Sequence, residues 1–206
     1  MNNSWNKVIY KIWSPIYDRI FNSGAFLRAR KKVFANTHFT NEQKILFVGV
    51  GTGADLELIE DQLDLDITAI DFSCDMLDKA RAKFENSPIK FQEMDAQKMD
   101  FESNTFDVAV ASLIISVVPD ADKCLKEIGR VVKPGGVIII FDKFSGETRK
   151  QSISQKLLRP IIKVFGTDIG LNFEELYSMN NDYLKIEIDT PVMMNGMYRK
   201  IILSKL

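Results

Sequence analysis

Short apolar runs alternate along this chain with stretches whose apolar residues recur at helical spacing. Residues 44–49, 67–70, 89–94, 106–112 and 137–141 read as strands. Apolar residues at consecutive positions are what a strand covered on both faces requires. Helices are predicted between them. One spans 54–63, where Leu56, Ile59 and Leu63 recur among acids; the others span 74–84 and 120–132, the last with Leu125, Ile128, Val131 and Val132 inward. Ser73 is placed to cap the 74–84 helix, with Asp75 favourable in its first turn. Lys133-Pro134-Gly135-Gly136 stops the 120–132 helix and turns into the strand at 137–141. Strands and helices alternating at this period predict a doubly wound α/β domain on a parallel sheet.

Both ends break the rhythm. After 141 come a helix over 150–164, a shorter one near 173–179, a strand over 184–190, Pro191, and a strand over 198–204. Asn195-Gly196 between the last two strands is a hairpin signal, which makes them antiparallel neighbours. At the other end, residues 3–14 carry Trp5, Val8, Ile9, Ile12 and Trp13 on one stripe, with Lys7 and Lys11 off it. Pro15 ends this amphipathic helix. A basic helix follows to about Phe34, and residues 36–43 form a polar linker into the first strand.

The 206 residues accommodate one such domain with an appendage. At 46% hydrophobic and 27% charged the composition is that of an ordinary globular protein. Cys74 and Cys124 lie far apart and His38 is the single histidine, so neither a zinc site nor a Cys–His nucleophile pair is expected. The expected compartment is the reducing cytoplasm, with neither signal peptide nor transmembrane span. The net charge of −1 conceals an asymmetry, because residues 1–34 hold seven bases and one acid, Asp18. A basic segment on an acidic body points to a local anionic partner.

The first strand runs into Gly49-Val50-Gly51-Thr52-Gly53. In a doubly wound sheet the ligand sits beyond the carboxyl ends of the strands. Glycines suit a tight turn where a ligand approaches the backbone too closely for a Cβ. The spacing G-x-G-x-G, with Ala54 next, differs from the G-x-G-x-x-G dinucleotide fingerprint and disfavours a nicotinamide-dependent oxidoreductase. Asp71 ends the second strand 20 residues after Gly51. An acid there accepts hydrogen bonds from both ribose hydroxyls, or else caps the next helix, for which Ser73 is better placed.

In order along the chain, Val48-Gly49-Val50-Gly51-Thr52-Gly53, Asp71, Met94-Asp95-Ala96, Ala111-Ser112-Leu113 and Arg130-Val131-Val132-Lys133-Pro134-Gly135-Gly136 resemble the motifs of class I S-adenosylmethionine-dependent methyltransferases of the methyltransferase-11 type. The resemblance covers most of the chain. It implies a Rossmann-like sheet of seven strands, mostly parallel with an antiparallel C-terminal hairpin. It also implies S-adenosylmethionine as cofactor and S-adenosylhomocysteine as product. Cofactor-binding positions would be Gly49, Val50, Gly51, Thr52, Gly53, Asp71, Phe72, Met76, Asp95, Ala96 and Ser112. Asp95 would lie by the adenine amino group (or be a solvated loop acid), Ala96 by the ring, and Ser112 along the methionine part. Residues 1–40 would form a helical lid or substrate-access segment, 41–206 the methyltransferase domain, and 143–180 a helical insertion near the active site. One departure stands out: two residues before the first glycine the family usually carries an acid, and here Phe47 stands.

Within the family, the chain looks similar to bacterial phospholipid N-methyltransferases and to ubiquinone/menaquinone biosynthesis C-methyltransferases. Trp13-Ser14-Pro15-Ile16-Tyr17-Asp18-Arg19-Ile20-Phe21 resembles the leading motif of both, and Ser116-Val117-Val118-Pro119 leans toward the first. The expected acceptor is therefore a lipid or small amphipathic molecule, with phosphatidylethanolamine-type amines the sharpest version. A quinone-like acceptor methylated on carbon or oxygen, or a SAM-binding protein without catalysis, are the alternatives. Tyr17 is the candidate catalytic residue, an electron-rich ring for the sulfonium, or else a packing residue. Asp142 and Lys143 read as surface charge or as groups at the substrate rim. Helix 3–14 suits either the domain's own core or an anionic membrane surface, which would place the protein peripherally at the inner membrane face. Nucleic acid is a less favoured partner, because no base-stacking module is evident. Oligomeric state is not legible.

Overall fold

The computed structural model describes residues 23–35, 37–62, 65–145 and 170–206, with 60–62 as backbone only. The helices expected over 3–14 and 150–164, together with Tyr17, lie outside the described residues. The seven strands are β1 (Lys44–Val48), β2 (Asp66–Asp71), β3 (Lys90–Glu93), β4 (Phe106–Ser112), β5 (Val132–Lys143), β6 (Leu184–Met193) and β7 (Tyr198–Lys205). They form one sheet in the order β3-β2-β1-β4-β5-β7-β6. Strands β1 to β5 pair in parallel, and β7 lies antiparallel between β5 and β6. The expected sheet is thus observed. The chain builds β1, β2 and β3 toward one edge, then returns to the other side of β1 for β4. That reversal opens a crevice between β1 and β4, the place where ligands of open α/β sheets sit.

The described α-helices are α1 (Gly24–Phe34), α2 (Cys74–Lys83), α3 (Ala121–Val131) and α4 (Phe173–Ser178). Strand alternation splits the core into two layers. Leu46, Val48, Ala109, Ala111, Ile138 and Ile140 share a layer with Leu125 and Ile128 of α3 and Leu176 of α4. Ile45, Phe47, Ala69, Val110 and Phe141 share the other with Ala29 and Val33 of α1 and with Leu56 and Ile59. Helix α1, whose opposite face exposes Arg28, Lys31 and Lys32, is therefore one layer of the domain. Ser73 caps α2 as expected, its Oγ accepting from the Met76 N–H at 3.4 Å.

Three elements differ from expectation. The helix predicted over 54–63 is a 3₁₀ segment, Leu56–Gln62, broken at Ile59 with φ −124° and ψ 26°. Its buried residues Leu56 and Ile59 are three apart, a spacing that suits a 3₁₀ repeat as well as an α-helix. Strand β5 starts at Val132 rather than 137. Phe106 pairs with Val132 and Val108 with Val137, so the intervening Lys133-Pro134-Gly135-Gly136 bulges out of the ladder. The hairpin joins β6 and β7 as expected, but Met193 pairs with Tyr198, and Met194, Asn195 and Gly196 all have positive φ. Strand β6 continues through Pro191, which an edge strand with a local register shift permits.

The bulge is held from several directions. Lys133 Nζ reaches Asp107 at 2.7 Å, and Arg130 donates to the Phe101 and Met99 carbonyls at 2.7 and 2.9 Å. A Cβ on Gly136 would lie 2.8 Å from the Lys133 carbonyl oxygen and 2.9 Å from that of Asp107. Backbone cannot yield as a side chain does. Gly136→Ala is therefore expected to destabilise the fold by about 1–3 kcal/mol. Urea denaturation checks this, and an unchanged midpoint would mean that the bulge relaxes freely.

Candidate functional site

At the carboxyl end of β1 the Ile70 carbonyl accepts from both the Gly49 and Val50 N–H groups, at 2.8 and 2.9 Å, and the chain swings off the sheet. Gly49, Gly51 and Gly53 have φ of 69°, 57° and 86°, the left-handed region that L side chains rarely adopt. A Cβ on Gly49 would meet Ile114 at 2.8 Å, and one on Gly53 would meet Phe84 at 2.6 Å. One on Gly51 would meet nothing within 4 Å among the described residues. The outer glycines are thus covered by protein, while the central one is left open by the described residues. Thr52 between them is buried and Val50 half-buried.

Asp71 ties this turn to the next strand. Its Oδ2 accepts from the Gly51 N–H at 2.8 Å and its Oδ1 from the Ser73 N–H at 2.9 Å. A carboxylate offers about four lone-pair sites, so capacity remains for further donors. Burial pushes the Asp71 carboxyl above its ordinary value, against the N–H groups of Ser73, Gly51 and Phe72, which pull it down. Phe72 is half-buried beside it. Met76 is only 2% exposed on the inner side of α2, so its side chain is packed into the protein.

The neighbouring strand ends complete a row. The Met94 N–H donates to the Asp71 carbonyl at 2.9 Å, which sets Asp95 next to β2. Asp95 Oδ1 accepts from the Gln97 N–H and Nε2 at 2.9 and 3.0 Å, and Gln97 Oε1 accepts from the Asp120 N–H at 2.9 Å. Asp95 is therefore held by Gln97 while half-buried in its loop. The Ala96 methyl packs in the layer under α3. On the other side of β1, Ser112 ends β4, one residue past the Val48–Ala111 pair. Its hydroxyl is buried with no hydrogen-bond partner among the described residues. Such an orphan costs about 1–3 kcal/mol, which a ligand would relieve. Leu113 follows with φ 57°, and its N–H donates to the Phe141 carbonyl at 2.7 Å. A non-glycine residue in this region stores on the order of 1–3 kcal/mol.

Asp142 and Lys143 correct the expectation of surface or rim charge. Strand β5 runs on to Lys143, so both residues still pair with β7 and both are buried. Asp142 is 0% exposed and accepts from Ser116 Oγ at 2.6 Å, the Ser116 N–H at 3.0 Å and the Lys143 N–H at 2.8 Å. It thereby holds the loop that lays Ile114 over Gly49. Burial pushes its carboxyl up, opposed by those Ser116 and Lys143 groups. Phe47 lies in β1 between Ala69 and Val110, 1% exposed, in the layer shared with Val33 and Phe141. The position of the family's acid is here a core position.

Two residues that sequence reasoning did not single out meet at the far end of the turn. Arg30 of α1 donates to Asp55, and both side chains are buried. The signal was present: Arg30 falls on the helical stripe of Phe26, Ala29, Val33 and Phe34, and Asp55 follows the last glycine by two residues.

Phe47→Glu is expected to lose on the order of 3–5 kcal/mol, because the charge would be buried without a partner. Phe47→Leu should lose about 1 kcal/mol. Urea midpoints of the two variants check this, and a fully stable glutamate variant would contradict it. For Asp142 the raised pKa means that the folded state holds the proton more tightly than the unfolded one. Its contribution to stability is therefore favourable at low pH and falls as pH rises from the ordinary carboxylate range through the raised value. Asp142→Asn should remove that part of the slope. Urea midpoints from pH 4 to 8 would show a shallower profile for the variant, and identical slopes would contradict the assignment.

Residues 46–140 match a family model described as a methyltransferase domain. The chain is 31% identical over 193 residues to a phosphatidylethanolamine N-methyltransferase of Cereibacter sphaeroides, spanning 92% of each. It is 30% identical over 128 residues to a ubiquinone/menaquinone biosynthesis C-methyltransferase of Desulfotalea psychrophila, across 62% of this chain and 52% of that one. Among solved structures, the fold is similar to the 4+2 cyclase SpnF, with TM-score 0.80, 16% identity, and coverage of 100% of this chain and 97% of that one. It is also similar to a SAM-dependent methyltransferase of Thermotoga maritima, with TM-score 0.68, 21% identity, and coverage of 97% and 99%. These two likenesses speak to fold alone. The match along nearly the whole of a methyltransferase of similar length, on a sheet that carries the family's motifs at its strand ends, places this chain among the class I SAM-dependent methyltransferases.

Proposed function

We propose that this chain transfers a methyl group from S-adenosylmethionine to a lipid or small amphipathic acceptor, with a phosphatidylethanolamine-type amine as the sharpest version. The observation that carries the cofactor reading is the open face at Gly51, flanked by Asp71 with capacity to accept and by the orphaned Ser112 hydroxyl. Asp71 would accept the ribose hydroxyls, Ser112 would pair with the methionine end, and Asp95 would accept from the adenine amino group. The glycine turn and Thr52 would line the middle. S-adenosylmethionine supplies a methyl group already activated by its sulfonium. The protein's share is to align the acceptor and exclude water.

A neutral amine carries its own lone pair and needs at most a weak base, whereas a carbon or oxygen nucleophile usually needs a base. Asp142 is committed to Ser116 and Lys143. His38 is exposed and precedes β1, at the amino end of the strands and away from the glycine turn. Both facts favour the amine, as does likeness to a phospholipid N-methyltransferase over 92% of both chains. Methylation of a quinone-like metabolite is the second reading, supported by likeness over 62% of this chain. Tyr17 is proposed beside the sulfonium, and helix 3–14 at an anionic lipid surface where the acceptor resides. No described helix is long and apolar enough to cross a membrane.

Purified protein supplied with methyl-labelled S-adenosylmethionine and either a total lipid extract or a polar metabolite extract tests the acceptor. Label should appear in the lipid fraction. Label confined to polar metabolites would sink the lipid version, and none in either would favour a binder without catalysis. Asp71→Ala should raise the KM for S-adenosylmethionine about tenfold to a hundredfold, given about 1.5–3 kcal/mol for a hydrogen bond to a charged group. An unchanged KM would contradict the ribose role.

A further inference from the structure

The glycine turn is gripped at four points. Gly51 is bound by Asp71, Gly49 is covered by Ile114, Gly53 abuts Phe84, and Asp55 is bound by Arg30. The first three grips come from elements that follow the turn in the chain. The fourth comes from α1, which precedes β1. The Arg30 and Asp55 side chains are 6% and 8% exposed, so this is a buried ion pair. It sits beside the layer that holds Phe47, Val33 and Leu56.

Stability alone does not account for the pair. Desolvating two charges offsets much of their attraction, and an apolar pair of similar volume often does as well. What a guanidinium–carboxylate contact supplies is direction, since its fixed donor geometry sets two backbones relative to each other. The segment opened by Asp55 is irregular: Leu56–Gln62 is 3₁₀ and breaks at Ile59. The downstream end of the turn is therefore tied to α1 as well as to Phe84 and, through Glu57, to Lys83.

We propose that Arg30 and Asp55 are a positioning pair that couples the docking of α1 to the shape of the Gly51 cradle, and so to cofactor affinity. The proposal rests on the reading of this turn as the S-adenosylmethionine site. Such coupling is reciprocal: a bound cofactor tightens α1 on the domain as much as a docked α1 tightens the cofactor. The chain then has a route by which whatever tightens or loosens α1 on the domain tunes cofactor binding, without touching the ligand.

The test uses full-length wild type, Asp55→Asn, Arg30→Lys, and the double variant Arg30→Met/Asp55→Leu. The double variant fills the space with apolar side chains and keeps the proposal falsifiable if Asp55→Asn fails to fold. Each protein is unfolded in urea, titrated with S-adenosylhomocysteine by calorimetry, and followed by amide hydrogen exchange in α1 with and without that ligand. Wild type should bind, with slower exchange in α1 on binding. The double variant should keep its urea midpoint but bind about tenfold more weakly, in the range of ordinary coupling between sites, and lose the ligand-dependent protection of α1. Arg30→Lys should recover part of both. A folded double variant that binds like wild type and still protects α1 would overturn the coupling and leave the cofactor reading intact. Wild type that fails to bind would overturn the cofactor reading, and this inference with it.

Discussion

The hydrogen bond from the Gly51 N–H to the Asp71 carboxylate is the contact on which the site depends. A turn with three residues at positive φ has few conformations that a folded protein tolerates and many that an unfolded chain explores, which makes glycine costly unless its neighbours fix it. Here the neighbours do so from both sides, with Ile114 over Gly49 and Phe84 against Gly53. Among the described residues, the middle one of the three is left uncovered. Asp71 both aims that residue and remains able to accept more, so one carboxylate shapes the cradle and offers a binding group within it.

The same device appears twice. Asp71 ends β2 and Asp142 nears the end of β5, and each gathers one N–H from a neighbouring loop and one from its own chain just downstream. Burial pushes both carboxyls up while those donors pull them down. Through Ser116, Asp142 places Ile114 and so reaches Gly49 from the far side of the sheet. The strained Leu113 and the orphaned Ser112 hydroxyl lie between them. The crevice between β1 and β4 is thus closed by packing on its walls and left unsatisfied at the points a ligand would touch.

Much of this was legible in the chain. Consecutive apolar runs disclosed the parallel strands, Asn195-Gly196 the hairpin, and the pairing of Gly51 with Asp71 the turn. The departures have physical causes. Leu56 and Ile59 satisfy a 3₁₀ repeat as well as an α-helical one, so periodicity alone cannot separate the two. The start of β5 was hidden because Pro134 and the two glycines after it look like a terminator, whereas the strand simply bulges around them. Asp142 and Lys143 read as surface or rim charges because a carboxylate in a β ladder draws its partners from a distant loop, which local pattern does not reveal. Arg30 sat on an apolar stripe between bases that point outward, and only Asp55, 25 residues away, explains it. Phe47 needed the sheet: its neighbours in register, Ala69 and Val110, make it a core residue.

The methyltransferase reading therefore stands on an arrangement, not on a single motif: Asp95, Asp71, Gly51 and Ser112 lie in order along four adjacent strand ends. A crystal structure of the protein with S-adenosylhomocysteine bound tests that arrangement most directly. The account predicts the ligand over Gly51, its ribose hydroxyls on Asp71, its amino-acid end at Ser112 and its adenine beside Asp95. A ligand bound elsewhere, or at the turn with Asp71 and Ser112 both out of hydrogen-bond reach, would contradict it.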